Sequence, residues 1–456
     1  MNFSSKLPTL IVIIAAVVLI QACTNDSESN ISVMPSAPEW VQNATIYEVN
    51  VRQFSEEGSF AKVEEALPRL QELGIDILWL MPIHPIGEIE RKGTMGSYYS
   101  VKDYFDVNPE FGTKDDFRSL VQAAHEREMK IILDWVANHT AWDNELTITN
   151  PEFYELDESG NFIPPRGTDW SDVIQLNFEN QDVWDYMISA LSYWVQEFDI
   201  DGYRADVADL VPTEFWNRAR AELDEIKPVF MLAEAETPDL HPAFDMSYGW
   251  TMHHTLNRVA SGEQPITQID EVLEQTRERF PENAFLMNFT SNHDENSWNG
   301  TVFERLGDGA KVFAALTATM EGMPLIYNGQ EVGLDKRLEF FEKDPIDWDF
   351  TSPFNGFYMS LMYLKRTNSA LGNGKWGAPM VRFATSAPEN IYSFHRTNEE
   401  NGVLVMLNLT GENTTFRIMD AIPGGEYQNL FSGVTTFIST GDTITLDGWG
   451  YLIFHR

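Results

Sequence analysis

Residues 183–207 read VWDYMISALSYWVQEFDIDGYRADV and predict a helix followed by a buried strand. Apolar residues recur at helical spacing over 183–198, and residues 202–207 form a short strand candidate. The same pair follows at 216–226 and 229–233. Strands that are apolar on both faces and alternate with helices indicate a parallel sheet with helices on both sides.

This alternation extends in both directions along the chain. Further strands are predicted at 46–51, 75–81, 130–136, 285–289 and 325–327, and further helices at 63–73, 117–129 and 310–320. About eight strand–helix units over more than 300 residues predict an α/β fold, a (β/α)8 TIM barrel.

Two regions depart from the alternation. Residues 139–173, after the third strand, lack periodicity and are rich in Asn, Asp, Pro and Gly, so they predict a small inserted domain over the barrel mouth. After residue 372 the chain contains short strands separated by turns, at 391–394, 403–407, 415–418 and 443–446. We expect a catalytic barrel at 41–372 and a C-terminal antiparallel β-sandwich at 373–456.

The N-terminal residues resemble a bacterial lipoprotein signal. An apolar run at 10–20 has about half the length that a membrane-spanning helix needs, and Cys23 follows it. The resemblance implies a signal peptide at 1–23, lipid attachment at Cys23 and a flexible tether at 24–40. We therefore expect an exported protein, anchored by lipid to a bacterial membrane at the periplasm or cell surface. Gln21 departs from the usual lipobox residue, and ordinary signal cleavage nearby is the alternative.

Composition excludes several classes of function. The formal net charge of −39 repels polyanions, which argues against nucleic acid as a partner. Cys23 is the single cysteine, so the chain forms no internal disulfide. The sequence contains neither a His/Cys pattern for zinc nor a glycine-rich phosphate loop.

Four acids lie at or just after the ends of predicted barrel strands, where a TIM barrel carries its active site. Asp134 ends the third strand, Asp206 the fourth and Glu234 the fifth, and Asp294 follows the seventh. Hydrolysis of an acetal needs one protonated carboxyl group and one ionised carboxylate. Arg204 shares a strand face with Asp206 and should favour its ionised form. Glu234 follows an apolar strand, so burial should favour its protonated form.

Four short motifs around these acids resemble the signatures of the α-amylase family, glycoside hydrolase family 13. They are DWVANH (134–139), GYRAD (202–206), MLAE (231–234) and FTSNHD (289–294), in the order of that family. The stretches YSVKDY (99–104), QLN (175–177) and GMPLIYNGQE (322–331) are also similar. The resemblance runs from about residue 44 to residue 456.

The resemblance implies a role for each catalytic residue. Asp206 would form a covalent glycosyl-enzyme, and Glu234 would protonate the leaving oxygen and then deprotonate water. Asp294 would bind sugar hydroxyls and help to distort the ring. Arg204 would orient Asp206. The implied enzyme is a retaining hydrolase of α-glucans or malto-oligosaccharides.

The resemblance also implies residues that hold the sugar or support the site. His139 and His293 would form hydrogen bonds to hydroxyls of the sugar, and Tyr99 would stack on its ring. Asp134 would support the site through Arg204 or Tyr99. Asn138 would also support the site, and in some branches of the family this residue helps to bind calcium. The chemistry itself requires no cofactor.

Departures from the family pattern leave the substrate open. Asp209 and Leu210 stand where many α-amylases have Lys-His, which argues against the common long-starch activity. Candidate partners of Asn138 in a structural calcium site are the acids Asp157, Glu158 and Asp172. A transglycosylase or an α-1,6-acting hydrolase is the alternative on the same scaffold. A non-catalytic glycan-binding homologue is a further class, but such relatives usually lose one of the acids.

Overall fold

The computed structural model describes Met1 and residues 37–456, and residues 37–456 belong to one compact unit. The strands are β1 (Ile46–Val49), β2 (Ile77–Leu80), β3 (Lys130–Trp135), β4 (His139–Ala141), β5 (Val173–Gln175), β6 (Gly202–Ala205), β7 (Phe230–Ala233), β8 (Met246–Tyr248), β9 (Phe285–Asn288), β10 (Met323–Tyr327), β11 (Val381–Arg382), β12 (Ile391–Thr397), β13 (Gly402–Asn408), β14 (Thr414–Arg417), β15 (Gly425–Asn429), β16 (Thr435–Ile438), β17 (Thr443–Leu446) and β18 (Tyr451–His455).

The helices surround the barrel or join its loops. They are α1 (Val51–Phe54), α2 (Phe60–Leu73), α3 (Lys114–His125), α4 (Leu146–Thr149), α5 (Gln181–Phe198), α6 (Thr213–Ile226), α7 (Trp250–Ala260), α8 (Gln268–Arg279), α9 (Val302–Leu306), α10 (Ala310–Thr319) and α11 (Pro353–Thr367). Among residues 37–456, none of these helices is both long and apolar enough to cross a membrane.

Eight parallel strands close into a barrel, which confirms the predicted fold class. Their order around the barrel is β1, β2, β3, β6, β7, β8, β9 and β10, with β10 paired again to β1. The sequence analysis missed β8, which is only three residues long and contains Ser247. A strand this short offers no apolar pattern that distinguishes it from a loop.

The barrel is filled by large apolar side chains, as full burial of its strands requires. Ile46, Trp79, Ile132, Leu232 and Met323 belong to one internal cluster, and each is almost completely buried. The barrel helices pack their apolar faces on the outside in a second cluster. Both faces of each strand therefore lose contact with water, which explains why the strands read as continuous apolar runs.

Gly202 opens β6 because no side chain fits there. Its φ is +152°, a conformation that L side chains rarely adopt, and a Cβ atom would collide with the carbonyl oxygen of Phe230. This close approach of β6 to β7 brings the residues that follow both strands together at the carboxyl end of the barrel.

The inserted segment contains more order than its sequence suggests. Strands β4 and β5 form an antiparallel pair that closes its base, with His139 opposite Gln175. Helix α4 lies between them in the chain. The polar loop is thus held to the barrel at both ends.

The C-terminal region is antiparallel, which confirms the predicted sandwich. A six-stranded sheet has the order β11, β12, β13, β18, β15, β16, and β14 pairs with β17 in a second sheet. Leu404, Phe416 and Tyr427 belong to the core between them. The sequence analysis missed β11, β15, β16 and β18, whose residues are more polar or more exposed than those of β13.

The predicted signal peptide at 1–23, including Cys23, lies outside the described residues except for Met1. Of the tether expected at 24–40, residues 37–40 are described. They do not extend freely, because Trp40 makes an edge contact with Phe230, with ring centroids 5.8 Å apart.

Candidate active site

Arg204, on β6, is the centre of the site and is completely buried. Its Nη1 lies 2.7 Å from Asp134 Oδ1 and 3.1 Å from Asp206 Oδ1, and its Nη2 lies 2.7 Å from Glu234 Oε1. The structure thus brings three of the predicted acids, from β3 and from the ends of β6 and β7, around one guanidinium. A buried cation of this kind is stable because carboxylates surround it.

The backbone fixes the two acids that follow β6 and β7. The amide of Asp206 donates to the carbonyl of Trp135 at 2.9 Å, and the amide of Glu234 donates to the carbonyl of Ala205 at 3.0 Å. Both bonds continue the ladder of the barrel by one residue. Neither side chain therefore depends on a free loop for its position.

Val207 is a strained residue beside these acids. Its φ of +38° lies in the left-handed region, which is unfavourable for a β-branched side chain. In this conformation its amide donates to Glu234 Oε2 at 2.8 Å. Backbone strain is often retained at functional sites because the surrounding structure holds it in place. Here it gives Glu234 a hydrogen bond that orients one of its two oxygens.

The electrostatics differ from the sequence expectation for Asp206. Burial, followed by repulsion from Glu234, raises the pKa of Asp206, and Arg204 only opposes this effect. The guanidinium is shared among three carboxyl groups, so it does not hold Asp206 alone in the ionised form. Burial also raises the pKa of Glu234, as predicted. The two groups are close enough that ionisation of one disfavours ionisation of the other.

His293 lies in a buried hydrogen-bond chain that includes Glu48, a residue to which the sequence analysis gave no role. His293 Nδ1 contacts Glu48 Oε1 on β1, and His293 Nε2 lies 2.8 Å from the hydroxyl of Tyr99. That hydroxyl donates to Asp134 Oδ2 at 3.0 Å. The chain joins the first, third and seventh barrel strands across the mouth.

His293 carries a positive charge in this environment. Burial disfavours the charge, but Asp294 and Glu48 together raise the pKa of His293 to about 9. Asp294 Oδ2 lies 3.3 Å from His293 Nε2. Asp294 is thus brought to the same mouth as Asp206 and Glu234 and lines the same cavity.

Tyr99, and not its neighbour Tyr98, faces the site. Tyr99 lines the cavity, and its ring is stacked on His293 with centroids 5.5 Å apart. Tyr98 is buried against Arg52, whose guanidinium lies 4.2 Å from the ring centroid.

His139 opens the inserted segment and also lines the cavity. Burial lowers the pKa of His139 to about 3, so its imidazole is neutral at neutral pH. Its ring lies against Trp170, with centroids 5.5 Å apart. Asn138 does not line the cavity. Its side-chain oxygen and its carbonyl oxygen accept hydrogen bonds from Gln175 Nε2, at 2.9 Å and 3.0 Å.

The residues considered for calcium do not fit a calcium ion. The side-chain oxygen of Asn138 already accepts from Gln175, and Asp172 forms an ion pair with Lys92 at 3.1 Å. Asp157 accepts hydrogen bonds from the backbone of its own turn. A calcium site needs six to eight converging oxygens. Within residues 37–456, no group of three or more acidic, His or Cys side chains is arranged to hold a metal ion.

The acids surround a cavity of about 540 Å³ at the barrel mouth. The sequence analysis missed much of its wall, namely Lys92, Asp169, Trp170, Trp298, Phe340 and Phe341. Trp298 lies on a helical turn at residues 295–299 and the others lie on loops, and none of them belongs to a motif quoted in the sequence analysis. Asp209 and Leu210 are not part of this wall, and the side chain of Leu210 is 52% exposed.

A barrel mouth that holds paired buried carboxyl groups, a third acid and aromatic walls defines a glycoside hydrolase. The family profile described as "Alpha amylase, catalytic domain" matches residues 25–161 and 167–352. The chain belongs to the α-amylase family, and the prediction of an α-amylase-family glycosidase is confirmed.

Individual relatives agree with this assignment. The chain is 26% identical to Alpha-amylase MalA of Haloarcula japonica over 417 residues, which cover 86% of this chain but only 60% of that protein. It is 26% identical to an intracellular maltogenic amylase of Bacillus subtilis over 82% of this chain and 69% of that protein. The crystal structure of the noncanonic maltogenic alpha-amylase AmyB from Thermotoga neapolitana is similar with a TM-score of 0.83 and 31% identity, over 91% of this chain and 98% of that one.

The prediction of an exported, lipid-anchored protein is wrong. The relatives include an intracellular maltogenic amylase of Bacillus subtilis, which contradicts the expected export. The prediction rested on an apolar run of about half a membrane span and on a motif from which Gln21 departs. Hydrophobicity over so short a run does not distinguish an anchor from other roles.

Proposed function

We propose that the protein hydrolyses α-glucosidic bonds in α-glucans or malto-oligosaccharides with retention of the anomeric configuration. Asp206 is the nucleophile that forms a glycosyl-enzyme, and Glu234 is the acid that protonates the leaving oxygen. Glu234 then removes a proton from the water that releases the sugar. The barrel at 41–372 supplies all of this chemistry, and the C-terminal sheets at 373–456 pack against it.

The observation that carries the proposal is the shared contact of Asp206 and Glu234 with Arg204. Each carboxyl group contacts a different nitrogen of one planar guanidinium, at 3.1 Å and 2.7 Å. In retaining glycosidases the two carboxyl groups are about 5–5.5 Å apart, whereas inverting enzymes leave room for a water molecule between them. A single guanidinium that bridges the two groups supports the shorter separation.

The remaining site residues bind the sugar. Tyr99 offers a ring face at the cavity wall, and His139 is a neutral imidazole that can accept or donate a hydrogen bond. His293 stacks beside Tyr99, and its Nε2 lies 3.3 Å from Asp294 Oδ2 at the same cavity. Asp134 supports the site through its contact with Arg204, and the chemistry needs no cofactor because the two carboxyl groups supply both proton transfer and attack.

The names of the relatives support the substrate class. They are an alpha-amylase, maltogenic amylases and a cyclomaltodextrinase, all matched over at least 82% of this chain. The test is product analysis on maltoheptaose, pullulan and isomaltose in parallel, with the anomer of the first product followed by NMR. An α-anomer from maltoheptaose is expected. A β-anomer would reject the retaining mechanism, and cleavage of isomaltose alone, or release of maltotriose from pullulan, would move the specificity to the α-1,6 bond.

A further inference from the structure

A short loop after β2, residues 91–96, reaches the inserted segment at one side of the cavity. We call this loop the bridging segment. Lys92 Nζ forms an ion pair with Asp172 Oδ1 at 3.1 Å and donates to the carbonyl oxygen of Asp169 at 3.2 Å. Lys92, Asp169 and Asp172 all line the cavity. The lysine thus ties the bridging segment to the inserted segment at the wall of the cavity.

The other side of the bridging segment is bound to the loop that follows β10. The amide of Met95 donates to the carbonyl of Phe341 at 3.1 Å, and the amide of Thr94 donates to Glu342 Oε1 at 2.8 Å. Gly93, with φ of +62°, lies so close to Phe341 that a Cβ atom would come within 2.5 Å of its Cβ. Lys92 Nζ also lies 6.0 Å from the ring centroid of Phe341.

The bridging segment therefore connects two walls of the cavity that belong to different parts of the chain. An active-site cleft that is open at both ends accepts the interior of a long polymer. A cleft with one end closed accepts only a chain end or a short oligosaccharide. Residues 91–96 are bonded on both sides, so the loop could move away from the cavity only if these contacts were broken.

We propose that the bridging segment, held by Lys92, closes one end of the cavity and restricts the enzyme to short malto-oligosaccharides and the ends of α-glucan chains. The inference rests on the proposed α-glucan hydrolase function and names the substrate class of the same site. Lys92 is a specificity-determining residue in this view, because its contacts decide how far a glucan chain extends beyond the reacting bond.

Lys92→Ala tests this inference. The measurements are kcat/KM on maltotriose and on amylose, and the chain lengths released from maltoheptaose in the first minutes of reaction. The wild type should release products of one short length and act poorly on amylose. In the variant, kcat/KM on amylose relative to kcat/KM on maltotriose should rise by about tenfold, and maltoheptaose should give products of several lengths. Lys92→Met, which keeps the bulk of the side chain and removes the ion pair, should change the ratio in the same direction and serves if the alanine variant fails to fold.

Lys102→Ala is the matched control. Lys102 also joins the region after β2 to the inserted segment, through Asp143 at 3.0 Å, but it does not line the cavity. Its loss should leave the ratio unchanged. Internal cleavage of amylose by the wild type, or an unchanged ratio in both Lys92 variants, would overturn this inference alone. Failure of the wild type to cleave any α-glucan would instead overturn the proposed function.

Discussion

Glu48→Gln removes one negative charge from the buried contact with His293 and keeps the shape of the side chain. The raised pKa of His293, about 9 against an ordinary value of 6.5, corresponds to about 3 kcal/mol in favour of the imidazolium. Two acids, Asp294 and Glu48, provide this stabilisation against the cost of burial, which the variant leaves in place. We expect the pKa of His293 to fall by about two pH units, into the neutral range.

The direction of the effect on activity depends on which protonation state of His293 is lost. His293 is positively charged below its pKa, so a lower pKa removes the charge at neutral and alkaline pH. The imidazolium donates through both ring nitrogens and faces Asp294, which is proposed to bind the sugar. The alkaline limb of kcat/KM should therefore move to lower pH by the same interval, with little change below about pH 6.

Two measurements check this prediction. Histidine side-chain NMR gives the pKa of His293, and kcat/KM on a short maltoside between pH 4 and 10 gives the alkaline limb. Asp201→Asn is the control, because Asp201 contacts His125 at 2.8 Å beside the amino end of β6, away from the mouth. An unchanged His293 pKa in Glu48→Gln would refute the electrostatic reasoning. A lowered pKa with an unmoved alkaline limb would show that the charge on His293 is not used in catalysis.

Three further variants test the fold and the site. Asp206→Asn should lower kcat by about 10⁴-fold or more with an unchanged melting temperature, and near-normal turnover would remove Asp206 as the nucleophile. Gly202→Ala should destabilise the protein by about 3–5 kcal/mol in denaturant unfolding, because its Cβ meets the Phe230 carbonyl, and wild-type stability would contradict this close approach. Gln53→Leu removes three side-chain hydrogen bonds to residues 339–344 and should raise KM more than it lowers kcat, while the exposed control Gln71→Leu should change neither.

The fold was predictable because complete burial leaves a strong sequence pattern. Each long barrel strand is apolar on both faces, and the helices between them are amphipathic, so their positions agree with the structure to within a few residues. The pattern failed at β8, at the helices α7, α8 and α11, and at the exposed strands of the C-terminal sheets. A three-residue strand, or a strand with one solvent-exposed face, pairs through its backbone, so its side chains show little apolar pattern in the sequence.

The centre of the site was predictable for a different reason. Asp134 lies near the end of β3, and Asp206 and Glu234 directly follow β6 and β7; a closed parallel barrel brings the carboxyl ends of its strands to one face. The walls of the cavity were not predictable, because Lys92 and Phe341 meet through loops whose paths the sequence does not fix. Glu48 was missed because one acid within an apolar strand gives no indication of its partner.

The single guanidinium shared by Asp206 and Glu234 links the two halves of the proposed reaction. An ester bond between Asp206 and the sugar would neutralise that carboxylate, and its repulsion of Glu234 would vanish while Arg204 stayed in contact. With its proton already given to the leaving oxygen, Glu234 would then be favoured in its ionised form, in which it can accept a proton from the attacking water in the second step. One fixed cation thus allows a single carboxyl group to change its role midway through the cycle without any movement of the backbone.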